Sequence, residues 1–249
     1  MIKTNEKRCI LASRCKLAAS ESCVNTCEHF VQNHGLSGKG GRSGAVNLPE
    51  DYRLVTLANS PARTSQSKIY DMLDQYVATF KRQFDEDGER IKSLYLFSES
   101  PGTGKTTTAS ALINAWLVEH YLGSIKRGQA PLQTPAYFLD VNELQTKYNL
   151  ATMTSDEKEL DEVKSTMKRC MVAPFLVMDD VGVRSASESF KSIIHAIINN
   201  RTTGAMPTVY TSNLPIEDMA TVFDARLYDR MRDQCLMLAF AGESKRGRR

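Results

Sequence analysis

The chain has 249 residues, 41% of them hydrophobic and 24% charged, which is enough for one sizeable core and a small appendage. Its net charge of +3 is too small to identify a partner. No apolar run approaches the ~20 residues that cross a bilayer, and the charged N-terminus lacks the apolar core of a secretory signal. We therefore expect a cytoplasmic protein without membrane partners, whose six cysteines stay reduced.

The first 34 residues are polar and rich in cysteine. Four cysteines lie within 19 residues: Cys9, Cys15, Cys23 and Cys27. Four thiols so close together suit a tetrahedral Zn²⁺ site, and the metal would stabilise a segment too small to fold by apolar burial. His29 is an alternative ligand, and a disordered arm with free thiols is the structural alternative. We expect residues 1–34 to form a zinc-binding module.

A glycine-rich segment follows, GLSGKGGRSGAV, with five glycines in twelve residues. Glycine at this density disfavours regular structure because it loses much backbone entropy on folding. The composition predicts a flexible, basic linker over residues 35–47. The rest of the chain, residues 48–249, reads as one globular domain.

Strand and helix patterns alternate through that domain. Short apolar runs predict five strands, at 93–97, 136–140, 174–180, 207–213 and 235–240. The intervening patterns predict helices at 69–84, 106–121, 154–169, 187–200, 215–222 and 224–234. This alternation predicts an α/β fold, a five-stranded parallel sheet between helices. Ligands bind such sheets outside the carboxyl ends of the strands, where this chain has the polar clusters SESPGTGKT, DD and TSN.

The string PGTGKT begins the helix after the first strand and predicts a phosphate site. Gly102 and Gly104 allow backbone N–H groups to turn inward around an anion, at the positive end of the helix dipole. Lys105 would reach the β- and γ-phosphates, and the Thr106 hydroxyl would bind Mg²⁺. Glu99 stands where the phosphate-loop pattern has glycine, and we expect its side chain to point away from the nucleotide.

Two adjacent aspartates end the third strand. Asp179 and Asp180 would repel each other and lose solvation there, and a metal ion compensates for both effects. We expect Asp179 to hold Mg²⁺ through water and Asp180 to orient or deprotonate an attacking water. A solvated D-D-V-G turn is the structural alternative.

From Leu48 onward, these motifs and their order resemble the AAA+ ATPases, and among them the DnaC/DnaI-type replicative helicase loaders. PGTGKT resembles Walker A, and FLVMDDVG resembles Walker B. The resemblance implies a minimal AAA+ P-loop core. The residues implied to bind ATP are Pro101, Gly102, Thr103, Gly104, Lys105, Thr106 and Thr107.

The resemblance also implies the residues that complete hydrolysis, beside Lys105 and Asp180. Asn213 matches the sensor 1 residue, and Arg246 in GESKR matches the sensor 2 arginine. Arg230 in ARLYDRM matches the arginine finger that one subunit offers to its neighbour's nucleotide, which implies a homo-oligomer when ATP is bound. Arg201 and Arg226 are weaker candidates for contacts with a neighbouring subunit or DNA.

The function implied by the resemblance is an ATPase that loads a hexameric replicative helicase onto single-stranded DNA, with ATP, Mg²⁺ and Zn²⁺ as cofactors. The N-terminal module would grip the helicase. Two alternatives stay open. One is an IstB-like transposition helper, against which the cysteine module argues. The other is a regulatory module that holds ATP as a switch and hydrolyses it poorly.

Overall fold

The structure is a computed structural model and describes residues 4–24, 26–85, 88–182 and 186–244. Within these ranges the strands are β1 (Ser93–Phe97), β2 (Ala136–Asp140), β3 (Phe175–Asp179), β4 (Thr208–Ser212) and β5 (Cys235–Ala239). The α-helices there are α1 (Glu28–His34), α2 (Gly41–Ala45), α3 (Ser67–Ala78), α4 (Lys105–Lys126), α5 (Val141–Thr154), α6 (Glu157–Val172), α7 (Glu188–Thr203), α8 (Met219–Val222) and α9 (Ala225–Gln234). None of the helices in the described ranges is long and apolar enough to span a bilayer.

All five strands form one parallel sheet in the order β2-β3-β4-β1-β5. This confirms the predicted α/β fold, and each predicted strand agrees with the observed one to within a residue at either end. Apolar runs predicted β1, β2 and β3 well because these strands are buried along nearly all their length. Strand β4 was indicated by its β-forming residues, and β5 by an apolar run although Leu236 and Met237 are exposed. The strand order places the carboxyl ends of β1, β3 and β4 next to one another.

Helices cover both faces of the sheet. Leu94 and Leu96 of β1 belong to a buried cluster shared with α3 and α4, whereas Tyr95 belongs to a second cluster shared with α5, α6, α7 and α9. Successive side chains of a strand point to opposite faces, so each central strand contributes to both layers. In β3, Val177 and Met178 divide between the two clusters in the same way.

Two helical regions differ from expectation. Helix α5 was not predicted, because its polar sequence buries few side chains; its N-terminus is fixed by Asp140, whose carboxylate accepts the Glu143 N–H at 2.9 Å. The predicted helix 69–84 is α-helical only as far as Ala78 and continues as a 3₁₀-helix over Thr79–Phe84.

The N-terminal segment packs against α4. Ile10 and Leu11 are buried in the same cluster as the residues of α4. Arg14 forms an ion pair with Glu119 at 2.7 Å, and the His29 ring nitrogen Nδ1 lies 2.8 Å from the Tyr121 hydroxyl. The described residues of this segment therefore share a core with the domain that follows.

The segment predicted to be a flexible linker over 35–47 is instead folded. It contains α2, and Val46 accepts a backbone hydrogen bond from the Phe138 N–H of β2 at 2.8 Å. The glycines serve close packing: Gly41 has φ +59°, and a Cβ there would lie 2.5 Å from the Asn33 carbonyl carbon.

Arg42 is buried within this segment, and its replacement by methionine tests how strongly the segment is held. Its guanidinium donates to three backbone carbonyls, at 2.9 Å from Gln32, 3.0 Å from Pro131 and 2.9 Å from Leu132. Because Arg42→Met leaves these acceptors without that donor, we expect the free energy of unfolding to fall by about 2–4 kcal/mol. Urea denaturation followed by circular dichroism measures it. The exposed Arg226→Met is the control, and equal midpoints for the two variants would contradict the prediction.

Candidate functional site

The predicted functional residues of three strands converge at one edge of the sheet. The loop SESPGTGKT follows β1, Asp180 follows β3, and Asn213 follows β4. Since these strands are neighbours, the three polar clusters lie side by side at their carboxyl ends.

The loop between β1 and α4 is shaped for an anion. Gly104 has φ +105°, and a Cβ there would lie 2.5 Å from the Ala62 Cβ, so the position requires glycine. The N-terminus of α4 follows directly and directs its dipole toward the loop. Thr103 is buried, and within the described ranges its hydroxyl has no hydrogen-bond partner. Glu99 is exposed, so the unusual residue of the loop pattern is accommodated at the surface.

Lys105 links this loop to the end of β4. Its Nζ donates to the Asn213 Oδ1 at 2.7 Å and makes longer contacts with the carbonyls of Ser98, at 3.4 Å, and Ser100, at 3.3 Å. The lysine and the polar residue expected to contact the γ-phosphate are therefore in direct contact.

Asp179 lies at the centre of the site and is buried. Both carboxylate oxygens lie 3.0 Å from the Thr106 hydroxyl, and the Thr211 hydroxyl donates to Oδ1 at 2.6 Å. Burial raises the pKa of Asp179 to about 6, against the lowering effect of the two hydroxyls; the nearby Asp180 and Asp140 raise it further. A hydroxyl beside the buried carboxylate of Asp179 and the partly buried one of Asp180 is a donor set that fits Mg²⁺.

Asp180 is held from two sides. Its N–H donates to the Thr211 hydroxyl at 2.9 Å, and its carboxylate accepts a hydrogen bond from the Asn142 amide at 2.6 Å. Its φ of +63° is uncommon for a residue other than glycine, and such strained backbone is typical of functional sites.

The sequence analysis missed Asn142 and the role of Thr211. Thr211 lies in the TSN cluster, and its hydroxyl binds both aspartates. Asn142 comes two residues after β2, and the rule that ligands bind beyond strand ends would have made it a candidate.

The arginines that were predicted to be functional do not lie together at this edge of the sheet. Arg230 lies on α9, where it contacts Asn199 and Thr203 of α7. Arg246 lies outside the described residues. Arg201 is fully buried and donates to four oxygen acceptors, the carbonyls of Cys170, Ala173 and Pro207 and the Thr208 hydroxyl. That environment gives Arg201 a structural role. The prediction that Arg201 contacts a neighbouring subunit or DNA is therefore wrong.

The zinc prediction is not supported. In the part of the chain that the structure describes, no group of three or more cysteine, histidine or acidic residues could hold a metal ion. Cys9, Cys15, Cys23 and Cys27 are free thiols, and His29 contacts Tyr121. The described part of the segment packs against α4, which spacing along the sequence could not reveal.

Comparisons with known proteins show which sequences and folds this chain is similar to. No family model matches the chain. The replicative helicase loader DnaC of Escherichia coli strain K12 is 29% identical over 168 residues, 67% of this chain and 62% of that protein. This chain thus spans about three fifths of the relative's length. Crystal structures of a DnaC helicase loader and of DnaI each give a TM-score of 0.55, at 20% and 21% identity, over 78% and 79% of this chain and 100% and 96% of theirs. These structures are similar to this chain in fold.

The raised pKa of Asp179 makes a prediction about stability. The pKa of its carboxyl is about 6 in the folded protein and ordinarily 3.8. The folded protein therefore favours the protonated carboxyl. This contribution to the free energy of unfolding is fully present below pH 3.8 and is lost as the pH rises through 6. Without magnesium or nucleotide, we expect Asp179→Asn to raise the free energy of unfolding at pH 8 by about 2 kcal/mol. At pH 4 the two proteins should be equally stable. Urea titrations at both pH values measure the difference, and a destabilised variant at pH 8 would refute the prediction.

Proposed function

From its similarity to the replicative helicase loader DnaC and its shared fold with DnaC and DnaI, we propose that the chain is an AAA+ helicase loader of the DnaC/DnaI type. It would use ATP to load a hexameric replicative helicase onto single-stranded DNA. The partner comes from the relative's described role as a replicative helicase loader. We expect this to take place in the cytoplasm at the initiation of replication.

The proposed ATPase activity is supported mainly by the contacts between side chains at the carboxyl ends of three strands. Thr106 and Thr211 both bind the buried Asp179, while Lys105 binds Asn213. A buried carboxylate with a hydroxyl on either side is costly without a cation, because burial disfavours its charged form. A magnesium nucleotide supplies both the cation and the anion that this arrangement fits.

Each residue then has a separate task. Residues 101–107 would bind the phosphates through backbone N–H groups, and Thr106 and Asp179 would hold Mg²⁺, which neutralises phosphate charge when bound. Asp180 accepts a proton from the attacking water or orients that water, with Asn142 fixing its carboxylate. Asn213 and Lys105 stabilise charge that develops on the phosphate.

Completion of the site requires a second subunit. Arg230 contacts α7 side chains, and it would act on the nucleotide of a neighbour in an ATP-dependent homo-oligomer. Arg246 would act as the sensor 2 arginine. Phosphoryl transfer depends mainly on such positioned positive charges, which explains why isolated subunits should hydrolyse ATP slowly.

Replacement of Asp180 by asparagine tests hydrolysis. Asparagine tolerates left-handed backbone and has the same shape, so the fold and ATP affinity should be kept. We expect kcat to fall by about 10²-fold or more, because the base is lost while the phosphates are still bound. Steady-state phosphate release measures it, with Lys105→Ala as the variant that loses nucleotide binding. Unchanged turnover in Asp180→Asn would disprove the catalytic role.

The loader function is tested with the full chain, its host's replicative helicase and circular single-stranded DNA. We expect the helicase to become bound to the circles only with this protein and ATP, and Lys105→Ala to abolish the transfer. Gel filtration of labelled helicase with the circles measures it. A protein that hydrolyses ATP but neither binds nor transfers the helicase would support the ATPase and overturn the loader.

A further inference from the structure

We infer that Asn199 of α7 is a positioning residue that orients the guanidinium of Arg230 toward a neighbouring subunit. This inference rests on the proposed action of Arg230 on the neighbour's ATP. It concerns how one subunit orients the Arg230 guanidinium that it supplies to the neighbouring subunit.

The contact itself joins two helices. The Nη1 of Arg230 donates to the Asn199 Oδ1 and lies 3.4 Å from the Thr203 Oγ1. Asn199 and Thr203 are four residues apart, so they lie on the same face of α7 and form a pair of acceptors. Arginine has five N–H donors, and both contacts use the same nitrogen. The remaining nitrogens are thus not engaged by α7.

Both acceptors are neutral. Elsewhere on α9, Arg232 pairs with the Asp229 carboxylate at 2.8 Å, which compensates its charge. Among the described residues, no carboxylate lies within ion-pair distance of Arg230. An amide and a hydroxyl fix the direction of the guanidinium without neutralising it, so its charge stays available for an anion such as a phosphate.

Helix α9 is already attached to α7 at both ends. At its start, Asp224 contacts the His195 ring at 2.9 Å; at its end, the Gln234 amide donates to the Thr202 carbonyl at 2.6 Å. The contact of Arg230 with α7 lies between these two points. Since the helix is held without it, this contact acts mainly on the arginine side chain, which is long and has many rotamers to restrict.

The experiment combines two inactive subunits. A subunit with Lys105→Ala cannot bind ATP but still supplies Arg230, whereas a subunit with Arg230→Ala binds ATP and lacks the finger. When the two variants are mixed, ATP turnover should recover at sites where the Arg230 of a Lys105→Ala subunit adjoins the ATP bound to an Arg230→Ala subunit. Asn199→Ala is then added to either the finger-supplying or the ATP-binding subunit.

We expect Asn199→Ala to lower kcat about tenfold, with the KM for ATP unchanged, only when it is in the finger-supplying subunit. In the ATP-binding subunit it should have less than a twofold effect, which also shows that the variant folds and assembles. Asn200→Ala, exposed on the same helix, is the matched control in the finger-supplying subunit. Equal losses in both placements, or no loss in the finger-supplying one, would overturn the inference. A mixture with no turnover at all would overturn the action of Arg230 between subunits, and the inference with it.

Discussion

The candidate site depends on a buried carboxylate held between two hydroxyls. Asp179 ends a fully buried strand, where its charge is poorly solvated, and Thr106 and Thr211 approach it from the loop and from β4. The pKa near 6 expresses the unfavourable burial that these hydrogen bonds do not offset. A protein that only needed a stable core would have no use for this carboxylate. Its position at the junction of three strand ends is the reason why we propose a Mg²⁺ site there.

The same sheet order explains what the sequence could predict. Apolar runs located β1 and β3 because these strands are buried on both faces, and β-forming residues located β4. The strand ends then located the phosphate loop, Asp180 and Asn213. Asn142 and Thr211 were missed because their importance depends on which strands are adjacent, which a single sequence does not specify. Helix α5 was missed for another reason: most of its surface faces solvent, so its apolar periodicity is weak.

The N-terminal segment shows where composition misleads. Glycine-rich sequence is typical of linkers, yet at Gly41 the residue permits a close approach of two backbones. Cysteine spacing suggested a metal site, yet the described residues of this segment contain no group of three or more cysteine, histidine or acidic residues that could hold a metal, and Ile10 and Leu11 are buried in one cluster with residues of α4. Local patterns indicate which conformations are allowed, and only the packing partner decides among them.

Helix α4 connects the two parts of the molecule that these arguments concern. Its first residue is Lys105 at the phosphate loop, and its later turns carry Glu119 and Tyr121, which contact the N-terminal segment. Helix α4 is one continuous element of 22 residues between these two sites. A partner bound to the N-terminal segment would therefore be joined to the nucleotide site through one packed element. Helix α7 packs on the other face of the sheet, in the cluster that contains Tyr95 and Met178, and it contacts Arg230. The two helices thus lie on opposite faces of the sheet, α4 between the phosphate loop and the N-terminal segment and α7 against Arg230.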